Sequence, residues 1–306
     1  MARIQWRTEL EKLRRDNRSG AAEIAEQALH LLIDVIGDSV PAGVISYRNW
    51  LIRISRELVA VQPSMGILFR LVNDMLWACD EAMNAEAMRQ GALQFLQSYQ
   101  ERSQAALQAL TEHAAQVLAR YPVLMTYSRS STVLNALTAM SERGWHGRVL
   151  CGEGRPMLEG QSLANELAWV GVDVTLGIDM ALFGWLPEAN AIVVGADSLA
   201  MAGVINKIGT AALMRAATET ELPCIVLCTT QKFLPNDYLV GSNLRSGDPE
   251  EIMPISSKNI TVRNVYFDVT PLELVTTVIT EKGPLEGEQV REELEQLHTY
   301  PGLRGK

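Results

Sequence analysis

Six hydroxyl side chains and one arginine occupy the seven positions from 126 to 132, in the string TYSRSST. Hydroxyl groups at this density suit a nucleophile site, a cradle of hydrogen-bond donors for an anion, or a polar turn. The composition of the string does not choose between these alternatives. A serine hydrolase is disfavoured, because the string lacks the G-x-S-x-G pattern and neither His113 nor His146 follows a predicted strand.

Further polar residues follow the other short apolar runs in the C-terminal part of the chain. Because ligands bind outside the carboxyl ends of the strands in an open parallel sheet, these residues are the candidates for a binding site. The candidates are Thr126, Ser128, Arg129, Ser130, Ser131, Arg155, Asp179 and Asp197, with Asn206 and Lys207 in the loop after the AIVVGA strand. The hydroxyl stretch and Gly209-Thr210 each precede a predicted helix, whose free N–H groups favour a phosphate. A helix-capping role explains one hydroxyl of the stretch but not six.

Two sequence patterns define the elements that position these residues. From residue 4 to about 120, apolar residues recur at three and four positions, which predicts an all-helical domain over 1–120. After Tyr121-Pro122, short apolar runs such as VLMTY, RVLCG, DVTLGI, AIVVGA and CIVLCT alternate with single helical patterns. This alternation predicts an α/β fold in which a Rossmann-like, doubly wound parallel sheet domain occupies 121–306. The tail YPGLRGK is expected to be either frayed or docked.

Composition excludes several classes of protein. Of the 306 residues, 47% are hydrophobic and 21% are charged, which is ordinary for a globular protein, and the net charge of −9 argues against nucleic-acid binding. No apolar run is long enough for a signal peptide or a membrane span, so a cytoplasmic location is expected. The four cysteines lack metal-ligand spacing, and no G-x-G-x-x-G or Walker string follows a strand. We therefore expect no metal, disulfide or cofactor.

Four longer strings resemble the signature blocks of one family: DNRSGAAEIAEQAL, GEGRPMLEG, VVGADSLAMAGVINKIGTAALMRAA and YFDVTPLELVTTVITEKG. That family joins the α, β and δ regulatory subunits of translation initiation factor 2B with isomerases of methylthioribose 1-phosphate and ribose 1,5-bisphosphate. The blocks occur in family order over residues 17 to 283. The resemblance implies a helical domain before a Rossmann-like domain, and a homodimer or higher homo-oligomer. It also implies that phosphate is held by Arg18, Ser19, Gly20, Arg155, Asn206 and Lys207.

The resemblance also locates the reacting groups of the isomerases. Their first strand is followed by T-H-C-N, whose cysteine works with the aspartate of G-A-D. The aspartate corresponds to Asp197 here, but Ser128 stands at the cysteine position. Isomerisation needs an acid/base group poised near neutral pH, and a serine hydroxyl requires an adjacent base that the sequence does not show.

Three functions therefore remain open at the level of sequence. The first is a regulatory protein that binds a sugar phosphate or nucleotide and acts through protein partners, a translation factor among them. The alternative is an aldose–ketose isomerase, an intramolecular oxidoreductase, acting on a phosphorylated pentose such as ribose 1,5-bisphosphate. It would use Asp197 as the acid/base, with another group, such as Cys151, in place of the thiol. The third is a purely structural subunit.

Overall fold

The computed structural model of the chain describes residues 2–16, 19–238, 246–254 and 257–304. Arg18, one of the predicted phosphate-binding residues, lies outside the described residues. Within these ranges the N-terminal part contains α1 (Ala2–Arg15), α2 (Ala21–Gly37), α3 (Val44–Val59), α4 (Gly66–Ala78) and α5 (Ala85–Leu118). Their apolar faces pack into one core that includes Ile24, Leu51 and Leu68. The prediction of a helical N-terminal region is confirmed.

Helix α5 belongs to two hydrophobic cores. Leu96 and Tyr99, in its first half, are buried in the core of the helical region. Leu110 and Leu118, in its second half, are buried under the sheet that follows. The predicted domain boundary after residue 120 thus falls just beyond a 34-residue helix that joins the two parts.

The C-terminal part contains two sheets. Its strands in the described residues are β1 (Val123–Thr126), β2 (Arg148–Gly152), β3 (Asp173–Gly177), β4 (Ala191–Gly195), β5 (Ser198–Ala200), β6 (Gly203–Lys207), β7 (Cys224–Leu227), β8 (Phe267–Thr270), β9 (Thr277–Thr280) and β10 (Gly283–Leu285). Seven of them form a sheet in the order β10-β9-β7-β4-β1-β2-β3, in which only the β9–β10 pair is antiparallel. The predicted α/β class with a mostly parallel sheet is confirmed. All five residues of β4 are buried, as an apolar run in the middle of such a sheet should be.

A small antiparallel sheet in the order β5-β6-β8 lies beside the main one. The expectation that Asn206 and Lys207 lie in a loop is wrong. Both residues lie in β6, where they pair with Asp268 and Phe267 of β8. Strand pairing fixes the backbone of these two polar residues more firmly than a loop would.

Five helices connect or flank the strands in the described residues: α6 (Ser131–Glu142), α7 (Glu159–Trp169), α8 (Ala181–Trp185), α9 (Thr210–Thr218) and α10 (Gly287–Glu295). After α10 the chain returns to the helical region, where Tyr300 and Leu303 enter the core. No helix in the described part of the chain is long and apolar enough to cross a membrane.

Candidate functional site

A cavity of about 400 Å³ lies between the helical region and the carboxyl ends of β1 and β4. Of the predicted residues, those lining it are Ser19, Gly20, Ser128, Arg129, Ser130, Ser131, Asp197, Asn206 and Lys207. Five further polar lining residues were not predicted as site residues: Asp16, Glu159, Ser162, Lys232 and Tyr266. Two separate parts of the chain therefore contribute polar groups to one concave site, as in many small-molecule sites.

The hydroxyl stretch divides into groups with different contacts. Ser130 is the N-cap of α6, and its Oγ accepts a hydrogen bond from the N–H of Val133 at 3.4 Å. Tyr127 donates its hydroxyl to the carbonyl of Ile208 at 2.9 Å and is buried. Ser128 has a φ of 64°, in the left-handed region, and it lines the cavity. Ser128 is thus presented to the cavity by a tight turn after β1.

Two helices, one from each part of the protein, begin at the cavity wall. Helix α2 follows Gly20, which provides no side-chain cap, and α6 begins at Ser131. The N–H groups of a first helical turn and the positive end of the helix dipole attract anions. The two helix starts therefore favour an anionic group in the cavity.

The start of α9 does not offer such a position, which corrects the expectation for Gly209-Thr210. The carboxylate of Asp268 accepts hydrogen bonds from the N–H of Gly209 at 2.8 Å and of Ala211 at 3.2 Å. The chain's own carboxylate thus occupies the place expected for a phosphate.

Asp197 follows β4 and faces the cavity. Burial disfavours its charged form and raises the pKa of the carboxyl group to about 6, although the charges of Lys232 and Lys207 act in the opposite direction. A carboxyl group with this pKa changes its protonation state near neutral pH. It can therefore act as an acid or base, or donate a hydrogen bond to a ligand.

Two lysines line the cavity beside Asp197. The Nζ of Lys207 lies 2.5 Å from Oε1 of Glu159, and the side chain of Lys207 is only 4% exposed. The Nζ of Lys232 donates to the carbonyl of Ala196 at 2.6 Å. In the described ranges no carboxylate forms an ion pair with Lys232. Lys232 thus retains N–H donors and a charge for an anionic ligand.

Arg129 lines the cavity but is held by two carboxylates. Its Nε lies 2.7 Å from Oε1 of Glu166 on α7, and its Nη1 lies 3.6 Å from Oε1 of Glu23 on α2. The hydrogen bonds that Arg129 donates to Glu166 are the main cause that raises the pKa of Arg129. In this conformation Arg129 joins the two parts of the protein at the cavity.

Three predicted residues do not line the cavity. Thr126 is buried at the end of β1. The carboxylate of Asp179 accepts hydrogen bonds from the backbone N–H groups of Gly154 at 2.7 Å and Arg155 at 2.8 Å. Asp179 thus shapes the loop that leads to α7, and the side chain of Arg155 is exposed outside the cavity wall.

None of the four cysteines replaces the cysteine whose position Ser128 occupies. All four are in the described residues and buried, and none of them lines the cavity. Cys151 lies in β2 with its side chain in the hydrophobic core, and burial raises the pKa of its thiol to about 12. A thiol with that pKa is almost entirely protonated at neutral pH. Among the described residues, no group of three His, Cys, Asp or Glu side chains is placed to hold a metal ion.

The fold and the site together define an α/β protein with a polar, anion-favouring cavity between a helical region and a parallel sheet. The chain belongs to the Initiation factor 2 subunit family, whose model matches residues 17–287. This match confirms the family resemblance of the four sequence strings.

The chain is similar to relatives with two kinds of name. One is a putative translation initiation factor eIF-2B subunit 2-like protein of Pyrococcus horikoshii, 30% identical over 276 residues that span 90% of this chain and 94% of that protein. Another is the ribose 1,5-bisphosphate isomerase of Archaeoglobus fulgidus, 28% identical over 300 residues, or 96% of this chain and 93% of that enzyme. Among solved structures, the translation initiation factor eIF-2B of Pyrococcus horikoshii OT3 aligns with a TM-score of 0.77 at 28% identity, covering 92% of this chain and 96% of that one.

Proposed function

We propose that the protein binds a phosphorylated sugar or a nucleotide in this cavity and acts as a regulatory binding protein in the cytoplasm. The observation that carries the proposal is the meeting of two helix starts, those of α2 and α6, with Lys207 and Lys232 around one cavity. Because the ligand would contact both parts of the protein, its binding would stabilise one relative arrangement of the two parts over the others. A protein partner, such as a translation factor, would then distinguish the ligand-bound protein from the ligand-free protein.

Binding without isomerisation is favoured by the groups around Asp197. Proton transfer between adjacent carbons of an open-chain sugar is eased by a second acid/base group opposite the first. Ser128 brings a hydroxyl to the same cavity, and none of the four cysteines lines it. Asp197 therefore lacks the partner that the related isomerases use.

The first prediction is that the protein binds ribose 1,5-bisphosphate, ribose 5-phosphate or AMP but turns over none of them. Isothermal titration calorimetry measures the binding, and ³¹P NMR of the incubated sugar phosphates detects any ketose product. Heat of binding with an unchanged NMR spectrum is the expected result. Absence of binding for all three ligands would contradict the proposal and favour a purely structural subunit.

The second candidate function is aldose–ketose isomerisation, and the raised pKa of Asp197 is the observation that favours it. If ketose product appears, Asp197→Asn decides whether Asp197 is the acid/base. The amide has nearly the same shape, so ligand affinity should stay within about tenfold, or about 1.4 kcal/mol, while turnover is lost. Equal turnover by the variant would assign the activity to other groups.

We also propose that two copies of the chain associate through the edge of the main sheet. Strand β3 is at the end of the sheet order, and large apolar side chains are exposed around it. Trp169 is 89% exposed, Ile178 is 65% exposed and Met180 is 70% exposed. Apolar patches of this kind mark interaction surfaces, and tryptophan and methionine are enriched at interface cores.

The second prediction tests this surface. Replacing Ile178 with aspartate should convert a dimer to a monomer, because a buried charge without a partner strongly disfavours association. Multi-angle light scattering after size-exclusion chromatography should show the molar mass halved. The control is Val40→Asp, which changes an equally apolar residue that is 91% exposed in the helical region. A molar mass that is unchanged in Ile178→Asp, or halved in both variants, would reject this interface.

A further inference from the structure

Residues 298–303, which we call the C-terminal strap, follow α10 and lie on the helical region. Tyr300 is 4% exposed, and its backbone N–H donates to Oδ1 of Asn73 at 2.7 Å. Asn73 Nδ2 and Trp77 Nε1 both donate to the carbonyl of His298 at 3.2 Å. The strap is therefore bound to side chains from the second half of α4.

The other contacts of the strap are equally specific. The hydroxyl of Tyr300 lies 2.9 Å from Nη1 of Arg48 and 2.7 Å from Oδ1 of Asp80. The packing at Gly302 is so close that an added Cβ would lie 2.5 Å from Cδ1 of Ile52. The strap is thus enclosed by α3, α4 and the turn after α4.

The opposite end of α4 lies at the cavity. The N–H of Gly66, its first residue, donates to the backbone carbonyl of Asp197 at 3.2 Å. A Cβ on Gly66 would lie 2.6 Å from Cβ of Ser198 and 3.0 Å from the carbonyl of Lys232. The start of α4 therefore packs directly on the two segments that present Asp197 and Lys232.

Contacts from the first half of α4 also join this helix to the C-terminal part of the chain. Arg70 donates from Nη1 to the carbonyl of Phe233 at 3.0 Å, and Phe69 stacks on Tyr238 with ring centroids 3.8 Å apart. At 1.5 Å per residue, the 13 residues of α4 span about 20 Å. Regular helices are stiff elements through which packed sites can be coupled, so a contact at one end of α4 can influence the other end.

We propose that the C-terminal strap positions α4 and thereby holds Asp197 and Lys232 in the cavity, although no residue of the strap lines the cavity. Release of the strap would loosen the start of α4 and weaken ligand binding. Tyr300 and Asn73 are then positioning residues that act on the site through α4. That the strap positions α4 follows from the contacts of α4 alone. Its effect on ligand affinity rests on the proposed function.

The third prediction concerns Tyr300→Phe, which removes the hydroxyl that bonds to Arg48 and Asp80 while retaining the ring. Amide hydrogen exchange of the ligand-free protein should become at least about fivefold faster at Gly66, because that amide reports the contact between α4 and Asp197. Asp237→Asn is a second, milder variant, since Asp237 Oδ1 accepts the N–H of Thr299 at 3.1 Å. The control is Arg291→Gln, which breaks an ion pair with Glu273 on the same domain and should leave Gly66 unchanged.

Faster exchange at Gly66 in both strap variants but not in the control is the expected result. Faster exchange limited to the last turn of α4, or unchanged exchange throughout, would overturn the inference. Stopped-flow measurement with ribose 5-phosphate should also give a dissociation rate about fivefold higher in Tyr300→Phe. If wild-type protein binds no ribose 5-phosphate, the proposed ligand fails while the exchange experiment still decides the role of the strap.

Discussion

Replacing Asp197 with asparagine should raise the free energy of unfolding at pH 8 by about 2 kcal/mol, with little change near pH 4. The pKa of Asp197 rises from 3.8 in the unfolded chain to about 6 in the folded protein. This difference in pKa makes the charged carboxylate cost about 2 kcal/mol in the folded state, because solvent in the cavity partly screens its charge. Asparagine has no charged form and avoids this penalty.

The direction in which stability depends on pH follows from proton linkage. Between pH 3.8 and about 6 the folded state binds more protons at Asp197 than the unfolded state, so stability falls as the pH rises through this range. The stability that the protonated carboxyl group contributes is fully present below pH 3.8 and is lost above about pH 6. The advantage of Asp197→Asn should therefore grow from pH 4.5 to about pH 6.5 and then stay constant.

Urea unfolding followed by tryptophan fluorescence across this pH range measures the effect. Asp173→Asn is the matched control, because Asp173 is an exposed carboxylate at the start of β3. A constant offset between Asp197→Asn and wild type at every pH would contradict the assignment. A stabilised variant would show that the native cavity retains a carboxyl group at the expense of stability, as functional sites often do.

The second large effect is expected for Lys232→Met, which should weaken ribose 5-phosphate binding about 100-fold. The ammonium group donates to the carbonyl of Ala196 and keeps further donors for a phosphate. A charge-assisted hydrogen bond in a site of this kind contributes about 1.5 to 3 kcal/mol. Methionine retains most of the side-chain volume but has neither the charge nor the donors.

Calorimetric titration at two salt concentrations checks this prediction, because added salt should weaken wild-type binding more than that of the variant. Lys282→Met is the control, since Lys282 is exposed and pairs with Glu293 on α10. An equal loss of ribose 5-phosphate affinity in the two variants would indicate a general effect of net charge. Lys207 is less suitable for this test, because its removal would leave Glu159 without its ion-pair partner.

The sequence predicts those parts of the site that obey a local rule. Ser128, Asp197 and the strand ends near them follow from the rule that ligands bind at the carboxyl ends of parallel strands. Lys232 obeys the same rule, since it follows β7 by a few residues, and a stricter use of the rule would have found it. Strand β5 was missed because it is only three residues long, and β6 because it ends in the two polar residues Asn206 and Lys207.

Other features depend on pairs of residues far apart in the chain. Asp268 satisfies the start of α9 from 59 residues away, so local reasoning wrongly left that helix open for a phosphate. The same limit applies to Arg129, whose partner Glu166 lies 37 residues away on α7. The docking of the tail on the helical region was one of two expectations, and the buried position of Tyr300 with its hydrogen bond to Asn73 decides for it.

Helix α5 has a further consequence for how the molecule can change in evolution or in the laboratory. Because one uninterrupted helix carries side chains for both hydrophobic cores, neither part of the protein has a complete core without it. Exchanging the sheet domain between relatives would therefore require a junction inside α5 that preserves the rotation of its two halves about the helix axis. A chimera that joins the helical region of one relative to the sheet domain of another must therefore repack one of the two cores along α5.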